Sequence, residues 1–183
     1  MKTRIPGLFC TAILAAGILI VAASTALAHS MPSEEATIIL PKPPYGQLDL
    51  VPHKSTLSDA RAGFGSAFKG SDFTGDGMRF VSYKYGNDLT FFARTGAQDR
   101  RPADELTITG YDVMSSSLHT PSRFSVSDPY QQVVDKYGEA SYTLEKEDGL
   151  TSYIYSFNGR PTQLIFDVNA SGVIRAIRYR TEA

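Results

Sequence analysis

The chain has 183 residues, of which 42% are hydrophobic, and a formal net charge of −1. This balance argues against a nucleic-acid-binding protein, because neutralising phosphates requires a strongly basic surface. The single cysteine, Cys10, lies in the N-terminal apolar run, so we expect no disulfide, thiolate metal site or cysteine nucleophile after processing.

The first 28 residues have the pattern of a cleavable secretory signal peptide. Lys2 and Arg4 precede an apolar run over 8–23, and Ala26–Ala28 supplies small residues at the expected cleavage site. An uncleaved anchor is the alternative, but no basic flank follows the run. Removing this segment leaves 16 basic and 19 acidic residues, a net charge of −3. We therefore predict a periplasmic or secreted protein with no stable membrane span after processing.

The segment 29–50 is rich in proline and predicts a spacer, with at most a short extended piece near Ile38. Cleavage would make His29 the N-terminal residue, and a terminal amine with an imidazole can chelate copper. A copper site also needs a further ligand, and the remaining histidines, His53 and His119, lack ligand-type spacing. A metal site is therefore not predicted, and a copper carrier stays an alternative.

From residue 51 onward one order of elements occurs twice. Ser-Asp pairs at 58–59 and 127–128 cap two amphipathic helices, expected near 57–69 and 126–138, and Gly70 and Gly138 follow as stops. Three strands follow each helix, at 80–85, 89–94 and 106–113 and again at 153–157, 163–168 and 173–179. We predict an α+β fold of two tandem helix-strand-strand-strand modules, 51–120 and 121–183, each a helix packed on a three-stranded antiparallel sheet.

The alternation of apolar residues along the predicted strands assigns side chains to two faces of each sheet. One face of the first sheet is apolar and is expected beneath its helix. The opposite face mixes aromatic and cationic side chains, as protein interfaces often do. Its residues are the candidate binding residues: Phe80, Lys84, Phe92, Arg94 and Tyr111. The same side chains could instead pack under the other module or the spacer, and both interpretations stay open.

The second copy contains a Ser-capped helix ending in Tyr-Gly (VSDPYQQVVDKYGEAS), an aromatic strand with a turn (YIYSFNG) and two apolar strands (LIFDVNASGVIRAIRY). This pattern resembles the small SmpA/OmlA-type envelope lipoproteins, and its tandem duplication resembles secreted beta-lactamase inhibitory proteins. The resemblance implies a sheet packed on helices, no catalysis, and one exposed surface that binds another protein. The lipidation cysteine and the disulfides of these families are missing here, so no site residue is carried over.

Two acidic segments admit a functional and a structural interpretation. Asp72–Gly77 begins like a calcium-binding loop, but Tyr83 stands where the closing glutamate is required, which favours a plain turn. Glu145, Glu147 and Asp148 form a carboxylate cluster that could serve hydrolysis. They fall in a predicted exposed turn, so solvation is the favoured interpretation.

The C-terminal arginines Arg175, Arg178 and Arg180 could pair with an acidic partner or lipid headgroups, or could only protect an edge strand. No nucleophile elbow, Ser-x-x-Lys motif or phosphate-binding glycine loop occurs, so we predict no enzyme and no cofactor. The predicted function is that of an exported, non-enzymatic binding protein acting by protein-protein recognition in the cell envelope or outside the cell. The alternatives are an envelope-assembly structural factor and a small periplasmic copper carrier using His29.

Overall fold

The computed structural model of the protein describes residues 31–42, 46–66, 68–157 and 162–181. These residues form ten strands, two short α-helices and two 3-10 turns. The strands are β1 (Ile38–Lys42), β2 (Gly46–Leu50), β3 (Phe68–Gly75), β4 (Met78–Tyr85), β5 (Leu89–Gly96), β6 (Gly110–Val113), β7 (Tyr142–Glu145), β8 (Thr151–Ser156), β9 (Thr162–Val168) and β10 (Ile174–Thr181). The helices are α1 (Leu57–Phe64) and α2 (Gln131–Tyr137), and the 3-10 turns are Ser33–Ala36 and Ala103–Glu105. Within these ranges no helix has the length and apolarity needed to cross a membrane.

The predicted pair of α+β modules is wrong, because the protein is mostly β and is built on one continuous antiparallel sheet. Its eight strands follow the order β3-β4-β5-β6-β10-β9-β8-β7, and β1 and β2 form a separate hairpin. At the centre β6 pairs with β10, with Tyr111 opposite Tyr179. Strands assigned to two separate sheets therefore belong to one, and the outermost strands β3 and β7 have no counterpart in the prediction.

Helix α1 is shorter than the predicted helix. It begins with a capping box, in which the Thr56 hydroxyl accepts from the Asp59 amide at 3.2 Å and the Asp59 carboxylate accepts from the Thr56 amide at 2.7 Å. It ends at Gly65, whose φ of +80° a residue without Cβ adopts readily. Phe68, predicted as a helical residue, begins β3 instead.

Helix α2 begins later than predicted, at Gln131. The preceding residues form a turn in which Ser127 has a φ of +81°, a conformation incompatible with a right-handed helix. The helix ends at the predicted glycine, Gly138, which has a φ of +78°. Both helices therefore contribute only about two turns each, and the sheet dominates the fold.

Both helices and the β1-β2 hairpin pack on one face of the sheet, here called the inner face. The buried core on this side is rich in aromatic and aliphatic residues, and its fully buried members include Phe91, Tyr111, Leu164, Phe166 and Ile177. Burial of each such side chain contributes roughly 1.5–3 kcal/mol. The described part of the predicted spacer joins this core, because Ile38 and Leu50 are buried and the Ala36 carbonyl accepts from the Tyr111 hydroxyl at 2.8 Å.

The carboxylate of Glu35 fixes the N-terminal segment to the rest of the inner side. Glu35 is buried and accepts from the Thr120 hydroxyl, from the Ser122 amide at 3.2 Å and from the Ser122 hydroxyl at 2.8 Å. The hydroxyl of Tyr137, at the end of α2, donates to it at 3.0 Å. A buried carboxylate with four donors is fully compensated, so this cluster joins the N-terminal segment to α2.

Candidate functional site: a groove on the outer face

The opposite face of the sheet, here called the outer face, has no described helix or hairpin packed on it. Register and strand alternation place apolar side chains at both of its ends. Phe73 on β3 is 57% exposed, and Tyr142 and Leu144 on β7 are 63% and 58% exposed. Large apolar side chains left in water on one face are typical of interaction surfaces.

A groove of about 470 Å³ lies on the outer face of the first half of the sheet. Residues from β3, β4, β5, β6 and β10 line it, chief among them Phe73, Phe80, Phe92, Arg94, Gly110 and Arg180. Gly110 lies opposite Phe92 on the neighbouring strand, and a Cβ there would come within 3.1 Å of the Tyr179 carbonyl oxygen. The missing side chain therefore keeps the middle of the groove open.

Three phenylalanines and two arginines form ordered pairs in this groove. Phe73 stacks on Phe80 with ring centroids 5.2 Å apart. The guanidinium of Arg94 lies 5.3 Å from the Phe80 centroid, and that of Arg180 lies 5.2 Å from the Phe92 centroid. Such cation-π contacts orient the charged groups while leaving their N–H donors available.

The two arginines differ in their other partners. Arg180 donates to the Asp112 carboxylate and, at 2.9 Å, to the Tyr111 carbonyl oxygen. Arg94 has no carboxylate partner among the described residues, and its Nε is buried without a hydrogen-bond acceptor. The charge of the Arg94 guanidinium thus lacks a carboxylate among the described residues, and an incoming carboxylate would supply one. Arg94 is therefore the group in the groove best prepared to bind a ligand.

In the second half of the sheet the charges on the outer face are paired with one another. The buried carboxylate of Asp167 accepts from Ser152 at 2.6 Å, from Lys146 at 2.7 Å and from Arg178 at 2.5 Å. Burial by itself would raise the pKa of Asp167, but these three hydrogen bonds outweigh it and hold the pKa below its usual value. Arg178 also contacts Asp112 at 3.3 Å, which links this cluster to the centre of the sheet.

Four of the five predicted binding residues lie on the outer face: Phe80, Lys84, Phe92 and Arg94. Tyr111, expected there as well, lies on the inner face, where it is buried and stacks on Tyr179 at 5.7 Å. Burial also raises the pKa of its hydroxyl well above the usual value. The reason is that β6 begins only at Gly110, so the alternation counted from Leu106 does not continue into this strand.

Phe73, Gly110 and Arg180 line the groove but were not grouped with it from the sequence. Phe73 lies in the segment considered as a calcium loop, which is in fact part of the β3-β4 hairpin. The Asp76-Gly77 pair at its tip, with both residues at positive φ, is a typical hairpin signal that would have revealed β3.

The other candidate clusters have structural partners. Asp72 pairs with Arg79 at 3.0 Å across the hairpin, and the Asp148 carboxylate accepts from the Leu150 amide at 3.1 Å within a turn. Across the described ranges no three His, Cys, Asp or Glu side chains are grouped to hold a metal ion. His29 lies outside the described residues.

No family model matches the sequence, and no curated protein matches it either. Among solved structures, a DUF4309 family protein from Bacillus subtilis is similar at 18% identity and a TM-score of 0.40, over 75% of this chain and 87% of that one. A cysteine-rich secretory protein from Staphylococcus aureus (10% identity, TM-score 0.40) aligns over 69% of this chain and 44% of its own length. An SCP-domain extracellular protein from Bacillus anthracis (10% identity, TM-score 0.37) aligns over 69% of this chain and 43% of its own length. The chain thus spans under half of the last two proteins.

Proposed function

We propose that this chain is an exported, non-enzymatic binding protein that recognises another envelope or extracellular protein through the outer-face groove. The observation that supports the proposal is the groove itself, where Phe73, Phe80 and Phe92 share the lining with an arginine that has no carboxylate partner among the described residues. Aromatic residues and arginine are the residue types enriched at protein-protein hot spots. Export is supported by the signal-peptide pattern of the first 28 residues.

The polar groups of the groove fit binding better than catalysis. Its described lining contains serine and threonine hydroxyls and two arginines but no carboxylate, histidine or cysteine side chain. The hydroxyls of Ser71 and Ser82 are 2.9 Å apart and bond to each other, away from any general base. Such a lining offers apolar contact area and hydrogen-bond donors, which is what a recognition surface needs.

Affinity capture tests this function. The mature protein is immobilised and exposed to envelope and culture-fluid extracts of the cell that produces it. We expect a retained protein that is lost when Phe73→Ser and Phe92→Ser are combined. The double variant Tyr142→Ser/Leu144→Ser is the matched control, because it removes two apolar side chains, each about as exposed as Phe73, from the other end of the same face. Equal retention by both variants, or retention of nothing by the wild type, would contradict the proposal.

A further inference from the structure

The outer face has the opposite charge to the chain as a whole. Among the described residues, this face carries five cationic side chains and two carboxylates, counting its strand positions and the residue that follows β7. These are Lys84, Arg94, Lys146, Arg178 and Arg180 against Asp112 and Asp167, a net of five minus two, or three positive charges. The chain itself carries −1. A positive face on a slightly negative protein favours a partner with negative charge.

Two of these three excess positive charges, Lys84 and Arg94, lie in the first half of the sheet, and Arg94 lines the groove. Lys146 and Arg178 form ion pairs with Asp167, and Arg180 forms one with Asp112. Lys84 and Arg94, both in the first half, have no such carboxylate among the described residues. Arg94 is the more specific of the two, since its Nε is buried and its guanidinium is held over the Phe80 ring.

We infer that the groove binds an acidic segment of a protein partner, in which an Asp or Glu side chain pairs with Arg94 and a neighbouring apolar side chain packs among the three phenylalanines. This inference rests on the proposed function and specifies the chemistry of the partner. The carboxylate supplies a counter-ion for the guanidinium of Arg94, which has no carboxylate partner among the described residues. The apolar side chain covers Phe73, more than half of which is exposed to water.

The shape of the site favours a protein segment over an anionic lipid surface. Phe80 and Phe92 are half-buried, and they line a recess whose volume suits one or two side chains. A flat membrane surface would contact the exposed Phe73, Tyr142 and Leu144 but would leave this recess unfilled.

A pair of synthetic peptides tests the inference on the full mature chain. The acidic probe is acetyl-Ser-Phe-Asp-Glu-Ser-amide, and its neutral match is acetyl-Ser-Phe-Asn-Gln-Ser-amide. Binding is followed by NMR through the Arg94 Nε–H signal and the backbone amides of Phe80 and Phe92. We expect the acidic probe to shift these signals and the neutral probe to bind about tenfold more weakly. Binding of the acidic probe weakens as salt is raised, since the pair is partly exposed.

Two variants assign the effect to Arg94. Arg94→Gln is expected to weaken the acidic probe about tenfold and to leave the neutral probe unchanged. Arg100→Gln is the control, because Arg100 is an exposed arginine outside the sheet, and we expect no change in either affinity. Unchanged folding of both variants is checked by their amide spectra.

The outcomes separate this inference from the proposed function. If both probes bind the groove with equal affinity, the inference that the partner segment is acidic is overturned. The capture experiment would still decide whether the groove recognises a protein. Absence of any shift at the groove with the acidic probe overturns the inference. The inference is also overturned if the protein binds vesicles of phosphatidylglycerol and phosphatidylcholine in an Arg94-dependent manner but does not bind the peptide. The outer face would then be a lipid-binding surface.

Discussion

The two halves of the outer face use their charged residues differently. In the half formed by β7 to β10, Asp167 is buried and bound by Lys146, Arg178 and Ser152. In the half formed by β3 to β6, Arg94 contacts an aromatic ring, and the part of the chain that the structure describes gives its Nε no acceptor. The first arrangement stabilises the fold, and the second leaves binding capacity unused. On this face, the role of a charged side chain therefore depends less on its position than on whether the protein itself neutralises it.

We expect the greatest loss of stability from a substitution in the second half of the sheet. Asp167→Asn removes the charge that Lys146 and Arg178 share, and we expect a loss of about 2–3 kcal/mol in the free energy of unfolding, below the value for fully buried pairs because both cations are partly exposed. Urea denaturation measures it. Asp135→Asn, an exposed aspartate on α2, is the control and should change stability by less than about 0.5 kcal/mol. Similar losses for both would contradict a structural role for the Asp167 cluster.

The next effect concerns the N-terminal segment, which contacts both halves on the inner side. The Glu35 carboxylate accepts four hydrogen bonds, and in Glu35→Gln an NH2 group takes the place of one of its oxygens and can no longer accept from the donors there. We expect the free energy of unfolding to fall by about 2 kcal/mol. Amide exchange at Ile39 should accelerate with it, since its N–H bonds the His119 carbonyl nearby. Glu34→Gln, at the exposed neighbouring position, is the control. An equally large loss of stability in that variant would contradict the role of Glu35 in holding the N-terminal segment.

The stabilisation that Asp167 gives the second half should depend on pH. Because the pKa of Asp167 is lowered in the folded protein, its stabilisation is present above the ordinary aspartate pKa of about 3.9 and is lost as the pH falls through the folded value. The stability difference between the wild type and Asp167→Asn should therefore be constant between about pH 5 and pH 7 and shrink in more acidic solution. A difference that stays constant down to about pH 2 would mean that the charge of Asp167 contributes nothing.

The smallest expected effect is on the first half. Arg94→Gln should change the free energy of unfolding by less than about 0.5 kcal/mol, because the described structure gives Arg94 no ion pair to lose. Arg178→Gln provides the contrast and should cost about 1–2 kcal/mol through its bonds to Asp167 and Asp112. If both variants lost the same stability, the charges of the two halves would be equivalent and the comparison would fail.

Local sequence signals located several elements of this fold but not their assembly. The hairpin β4-β5 and the strands β8, β9 and β10 were predicted near their observed positions because apolar residues alternate along them. The extent of α1 was wrong since Phe64 and Phe68 fit one helical face by spacing, whereas Gly65 ends the helix between them. Strand β7 escaped prediction because all four of its residues are exposed and no burial pattern marks it.

Local alternation also predicted part of the candidate site. Alternation along β4 and β5 placed Phe80, Lys84, Phe92 and Arg94 on one face, and the structure has them there. Arg180 could not be grouped with them, because only the pairing of β6 with β10 brings it beside Phe92. That pairing joins distant parts of the chain, and no local pattern encodes it.

The seam between β6 and β10 also sets the order in which the sheet can be completed. Asp112 and Arg180, which bond across it, are 68 residues apart in the sequence. In a chain synthesised from its N-terminus, β6 has an unpaired edge until the last strand has emerged. Closing such a long loop is entropically slow, so the exposed edge persists as a place for wrong pairing during folding. Truncation before residue 174 would divide the sheet in two and leave that edge open permanently.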